Sequence, residues 1–144
     1  MIRAMLVILA LSTAIAAAQS DPLSQRKALM KENLEGAKAV VRMVRGQSPF
    51  DAEKVNAAFE QWMETARKLP DLFPEPPAPG QETRALPAIW QDKPDFAAKI
   101  AAFEKAVAEN KDKSTTLAEL KVAFPVISNA CGDCHELYRR PQKE

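Results

Sequence analysis

Near the end of the chain, Leu117, Leu120, Phe124, Ile127, Cys131, Cys134 and Tyr138 step three, four, three, four, three, four. That spacing holds all of them on one face of a helix and turns both cysteines toward whatever the helix packs on. The same stretch, Cys131-Gly132-Asp133-Cys134-His135, reads C-x-x-C-H, the spacing of covalent c-type haem attachment. In that chemistry two thiols add across the two vinyl groups of a porphyrin, and the next imidazole binds the iron as proximal ligand. Cys131 and Cys134 lie three apart and Cys131 and His135 four apart, so the three share a helical face. His135 is the only histidine in the chain.

Other uses of two cysteines meet obstacles. A disulfide is open to any exported C-x-x-C pair. A redox dithiol wants its motif after a buried strand in a βαβ unit, and no strand pattern lies upstream. A structural zinc site needs four Cys or His ligands, and the chain has two cysteines and one histidine. The motif reads as haem c, one per chain and covalently attached.

Residues 1–18 read as a secretory signal. Arg3 gives a positive start, Ala4 to Ile15 an apolar run too short to span a bilayer comfortably, and Ala16-Ala17-Ala18 a small-residue cleavage site. Cleavage near Ala18 leaves residues 19–144 as one domain of ordinary size with no membrane anchor, and a retained N-terminal anchor is the alternative. Export to the periplasm suits a motif whose haem is attached on the outer side of the bacterial membrane. Without Arg3, basic and acidic residues are equal in number. That balance argues against nucleic acid and against a polybasic membrane contact.

The remaining periodicities are helical. Asp21-Pro22 opens a first helix expected over Pro22 to Arg45, with Gly46 as its stop. Leu23, Met30, Leu34, Ala37, Val41 and Val44 form its apolar stripe, which predicts bundle packing. Arg26 and Met30 lie one turn apart on that helix. The second helix is expected over Ala52 to Lys68, with Val55, Phe59, Trp62, Ala66 and Leu69 inward. Trp62 reads as core, with a place beside the haem as the other reading.

Seven of the chain's eleven prolines fall between Pro70 and Pro94, which excludes a continuous helix there. Too few residues follow to make a second core, so this stretch reads as a strap across one end of the bundle, anchored by Leu72, Phe73, Ile89 and Trp90. A third helix is expected over Asp95 to Glu109, with Phe96, Ile100, Phe103 and Val107 inward. A fourth runs from Thr116 to Arg140, bent at Pro125. The fold class is therefore all-α, an antiparallel four-helix bundle with haem near the C-terminal helix.

These features together resemble the cytochrome c-prime superfamily, the class II c-type cytochromes. The likeness spans the mature chain. It is carried by Arg26-Lys27-Ala28-Leu29-Met30-Lys31, Gly46-Gln47-Ser48-Pro49-Phe50-Asp51, Leu69-Pro70-Asp71-Leu72-Phe73-Pro74, Glu82-Thr83-Arg84-Ala85, Pro87-Ala88-Ile89-Trp90 and the Cys131 to Arg139 stretch. The resemblance implies thioethers at Cys131 and Cys134 and proximal ligation by His135. It implies Arg26 near a haem propionate, Glu82 and Thr83 on a crossover segment near the haem edge, and Arg139 beside the proximal face. A solvated arginine is the other reading of Arg26, and an ordinary loop that of Glu82 and Thr83.

At Met30 the family divides. In the low-spin branch a methionine here binds the iron, a His/Met pairing that suits electron transfer. In the high-spin branch an apolar residue caps a five-coordinate iron and leaves room only for small gases, and some such members carry an unbound methionine. The surroundings of Met30 are closer to the low-spin pattern, while Arg26 is closer to the high-spin one. The expectation is a periplasmic one-electron carrier, not an enzyme, with Met30 as sixth ligand and periplasmic redox proteins as partners. The alternative binds nitric oxide or carbon monoxide. A peroxidase lacks the second histidine it would use on bound peroxide. Family members often pair through their first two helices, so the resemblance leaves both a homodimer and a monomer open.

Overall fold

The computed structural model describes residues 21–141, so the predicted signal segment lies outside them. Helix α1 spans Pro22–Val44, and Asp21 caps it by accepting from the Ser24 N–H at 3.1 Å. It ends where Gly46 turns to φ 71°, a left-handed conformation that suits glycine. There Gln47 N–H donates to the Arg42 carbonyl at 2.8 Å and Gly46 N–H to that of Met43 at 3.0 Å, which satisfies two end carbonyls. Helix α2 covers Ala52–Lys68, as expected, with Asp51 accepting from Lys54 N–H. A 3₁₀ turn, Leu69–Leu72, opens the proline-rich stretch, and the one-turn α3, Ala88–Gln91, closes it.

Helix α4 spans Lys93–Lys111, beginning two residues earlier than predicted because Asp92 caps it and Pro94 sits in its first turn. Helix α5 spans Leu117–Tyr138. It runs without interruption through Pro125, whose missing N–H removes only its own bond to Lys121. At its start Thr116 Oγ1 accepts from Glu119 N–H while the Glu119 carboxylate accepts from Thr116 N–H at 3.0 Å, a reciprocal cap. Replacing Thr116 by alanine is expected to lower the unfolding free energy by about 1 kcal/mol, read from urea denaturation of the haem-loaded protein.

Helices α1, α2, α4 and α5 form the bundle. Each packs on its neighbour in chain order, and the ring closes between α5 and α1. Short turns join α1 to α2 and α4 to α5, which makes those pairs antiparallel. At α1–α2 a Cβ on Gly36 would stand 3.1 Å from that of Ala58, so glycine permits the close approach. The α1–α5 seam is much the thinnest of the four. The main core holds Val40, Met43, Phe59, Trp62, Val107, Leu120 and Ile127, and a second cluster at the other end gathers Leu69, Ile89, Phe96, Ile100 and Tyr138.

The inward residues predicted for α2 and α4 are buried. On α1 the expected stripe needs correction. The buried residues are Arg26, Leu29, Val40 and Met43, a face rotated by about one position from the predicted one. Of the predicted set, Ala37 and Val44 pack on the main core and Met30 on the second cluster, whereas Leu34 is 53% exposed.

The strap lies as the sequence predicts. Leu72 and Ile89 are buried, and Phe73 lies against Trp90 and Phe96 with ring centroids 6.2 and 4.9 Å apart. The Trp90 indole N–H donates to the Phe73 carbonyl at 3.2 Å. The strap's last part is stitched to the end of α5. Ala85 and Arg139 form an antiparallel bridge, Leu86 N–H donates to the Tyr138 carbonyl at 3.0 Å, and Arg140 N–H donates to that of Arg84 at 2.8 Å. Two guanidiniums reinforce this stitch: Arg84 Nε donates to the Arg140 carbonyl and Arg140 Nη2 to that of Thr83.

Candidate haem site

The thin α1–α5 seam opens into a cavity of about 480 Å³. Met30, Leu34 and Ala37 wall it from α1, Ile100 and Phe103 from α4, and Phe124, Ile127, Cys131, Cys134 and His135 from α5. A second cavity of about 260 Å³ adjoins it toward the strap, and Met30, Leu69, Arg84, Cys134, His135 and Arg139 line both. The exposed face of Leu34 is thus cavity wall. Trp62 belongs to both of its readings: it is buried in the main core, donates from its indole to the Asn33 carbonyl at 3.3 Å, and also lines the larger cavity.

Cys131, Cys134 and His135 come to this space on one helical face, with Met30 facing it from another helix. Both cysteines are half-buried and are not joined to each other. Burial, aided by the neighbouring Cys134, pushes the Cys131 thiol up to about 11, and burial raises that of Cys134 as well. Burial, with the Arg139 and Arg84 charges behind it, pulls His135 down to about 4. The imidazole is therefore neutral at neutral pH, the form that binds a metal. Among the described residues no group of three or more His, Cys, Asp and Glu side chains could hold a bare metal ion.

Arg26 is buried at 8% exposure, which rules out the solvated reading. Its Nη1 donates to the Leu72 carbonyl at 2.8 Å and its guanidinium carbon stands 4.5 Å over the Phe73 ring, so α1 grips the strap through a cation. It lines the smaller cavity, as does Thr83. Thr83 also holds the local turn, its hydroxyl accepting from Ala85 N–H at 3.1 Å. Glu82 is exposed and lines neither cavity. Arg139 lines both.

Sequence reasoning missed Arg84, Lys99 and Asn33, all cavity-lining. Lys99 falls between Phe96 and Phe103 on the inward side of α4, a position whose cation was a readable signal. Asn33 lies one turn beyond Met30, its Oδ1 accepting from the Thr65 hydroxyl at 2.8 Å. Arg84 gave no such signal, since its place depends on the stitch between strap and α5.

A porphyrin asks for apolar walls, a nitrogen donor for its iron, two thiols at its edge and cations for its carboxylates. The two cavities offer each of these, and the larger lies within the volume range of cofactor sites. The residues present fit the group.

A family model for cytochrome c' matches residues 21–139. The chain belongs to the cytochrome c' family. It is similar to cytochrome c-556 of Rhodopseudomonas palustris, 35% identical over 135 residues and covering 91% of both chains. It is also similar to cytochrome c' of that organism, 32% identical over 132 residues, 92% of this chain and 90% of the other. The solved cytochrome c' from Rhodopseudomonas palustris superimposes with a TM-score of 0.81 at 31% identity, over 87% of this chain and all of that one. As a member of the cytochrome c' family, the chain carries covalently attached haem c, and its fold is the family's four-helix bundle. The family is one of c-type haem electron carriers.

Proposed function

We propose that the chain is a periplasmic one-electron carrier whose haem would be held by thioethers to Cys131 and Cys134, with His135 and Met30 as the residues that would bind its iron. The observation that carries this reading is the presence of Met30 in the same cavity walls as His135, reached from the opposite side of the α1–α5 seam. The bound haem supplies the redox couple, Fe(III) to Fe(II), by one electron. The protein's residues do the rest. His135 offers a neutral imidazole, Met30 a thioether that favours the reduced iron, and the apolar walls keep water off. Arg26, in the smaller cavity, is suited to a propionate, and Arg139 and Arg84 surround the His135 side. Residues 1–18 act in this reading as the export signal, and residues 19–144 form the haem domain.

The high-spin alternative, with Met30 as an apolar plug beneath a gas-binding iron, has one observation in its favour: Met30 packs against the second core cluster as an ordinary hydrophobe does. Protein matured with a haem-attachment system tests the leading reading in two steps. Acid–acetone extraction followed by mass spectrometry should leave one haem on the chain, and the ferric protein should have a low-spin spectrum with the weak red band of a thioether ligand. Extractable haem, or a Cys131–Cys134 disulfide in its place, would overturn the attachment. A high-spin ferric spectrum would transfer the reading to gas binding.

A further inference from the structure

The walls of the two adjoining cavities carry Arg26, Lys27, Lys31, Arg84, Lys99 and Arg139, and no aspartate or glutamate. This segregation occurs in a chain with almost as many acids as bases, 19 against 20. Asp21 acts on Arg26 and Glu35 on Lys31 through their charges, but neither acid closes an ion pair with that cation. The ion pairs among the described residues use Lys38, Lys54, Lys68, Lys105 and Lys111, none of them at the cavities. Arg26 and Arg84 donate to carbonyls, which fixes each guanidinium without pairing it to an acid. Asp95, whose charge is felt at Cys134, accepts the Tyr138 hydroxyl at 2.5 Å. A haem has two carboxylates, so it leaves a surplus of positive charge at the site. Lys27, Lys31 and Arg139 are solvent-exposed and carry that surplus to the surface.

From this we infer that the basic rim of the cavities is the docking surface for an acidic redox protein, which exchanges its electron there. The inference rests on the carrier reading and names the chemistry of the partner. Opposite charge at the rim steers the partner to the place where the redox group is approached, and salt weakens the attraction. In each encounter one electron passes between iron and acceptor, and no atom or proton is transferred.

Stopped-flow oxidation of the reduced, haem-loaded protein tests this with ferricyanide, an anion, and tris(phenanthroline)cobalt(III), a cation, over a series of ionic strengths. Ferricyanide rates should fall as salt rises, and cobalt rates should rise. At low salt Lys31→Glu/Lys99→Glu should slow ferricyanide about tenfold or more and speed the cobalt reagent. Lys113→Glu/Lys121→Glu, which makes the same charge change away from the cavities, should alter either rate by less than about twofold. Poly-glutamate, standing for an acidic protein surface, should compete with ferricyanide on the wild type and not on Lys31→Glu/Lys99→Glu. Equal effects of the two double variants would overturn the inference, as would salt trends of the same sign for both oxidants. Failure of poly-glutamate to compete would overturn protein docking. Loss of the carrier reading itself would be visible beforehand, as absent haem or a high-spin spectrum, before any rate is measured.

Discussion

Cys131→Ala/Cys134→Ala is expected to abolish covalent haem and, with it, the cooperative fold. The two core clusters are bridged along α1–α5 chiefly by cavity wall, because that seam is much the thinnest of the four. Without porphyrin contacts, Leu34, Ile100, Phe124 and their neighbours face about 480 Å³ of unfilled space. Core cavities destabilise by about 24 cal/mol per Å³, so even a cavity partly open to water costs several kcal/mol. A domain of this size has only about 5–15 kcal/mol in total. Circular dichroism should therefore show reduced helicity and a broad thermal transition, because helices of this length owe most of their stability to tertiary packing. Native helicity with a sharp melt would mean that the helices pack adequately on their own.

Met30→Ala should change the iron's spin state. With the thioether gone, the ferric spectrum should become high-spin and lose its red band, and the reduction potential should fall, since His/Met pairing raises it. Carbon monoxide binding to the ferrous form should tighten about a hundredfold or more, each ~1.4 kcal/mol of competing ligand energy being worth tenfold. Folding should survive, because Met30 is only half-buried and packs at the border of the second cluster. Should the variant keep the wild-type spectrum, Met30 is a plug and not a ligand.

Much of the fold was legible because the signals were local. Asp21, Asp51 and Thr116 cap where the sequence places helix starts, Gly46 ends α1, and the prolines mark the strap. The inward faces of α2 and α4 follow from spacing alone, because each buries a single stripe. Helix α1 serves two surfaces, a core against α2 and a wall against the cavity. Its apolar residues therefore spread over two adjacent faces, and periodicity alone took Leu34 for core and overlooked Met43 and Val40. Arg26 broke the pattern for another reason: a buried guanidinium is satisfied by the Leu72 carbonyl and the Phe73 ring, 46 and 47 positions away, which no local signal announces. The C-x-x-C-H spacing named the chemistry of the site, but the basic rim around it is tertiary. Arg84 reaches the rim only through the strap's hydrogen bonds to α5.

The most direct measurement is the absorption spectrum of the dithionite-reduced, haem-loaded wild type before and after carbon monoxide. Ligation by both His135 and Met30 predicts a low-spin ferrous spectrum that the gas leaves essentially unchanged. Prompt conversion to a carbon monoxide complex from a high-spin ferrous spectrum would contradict it.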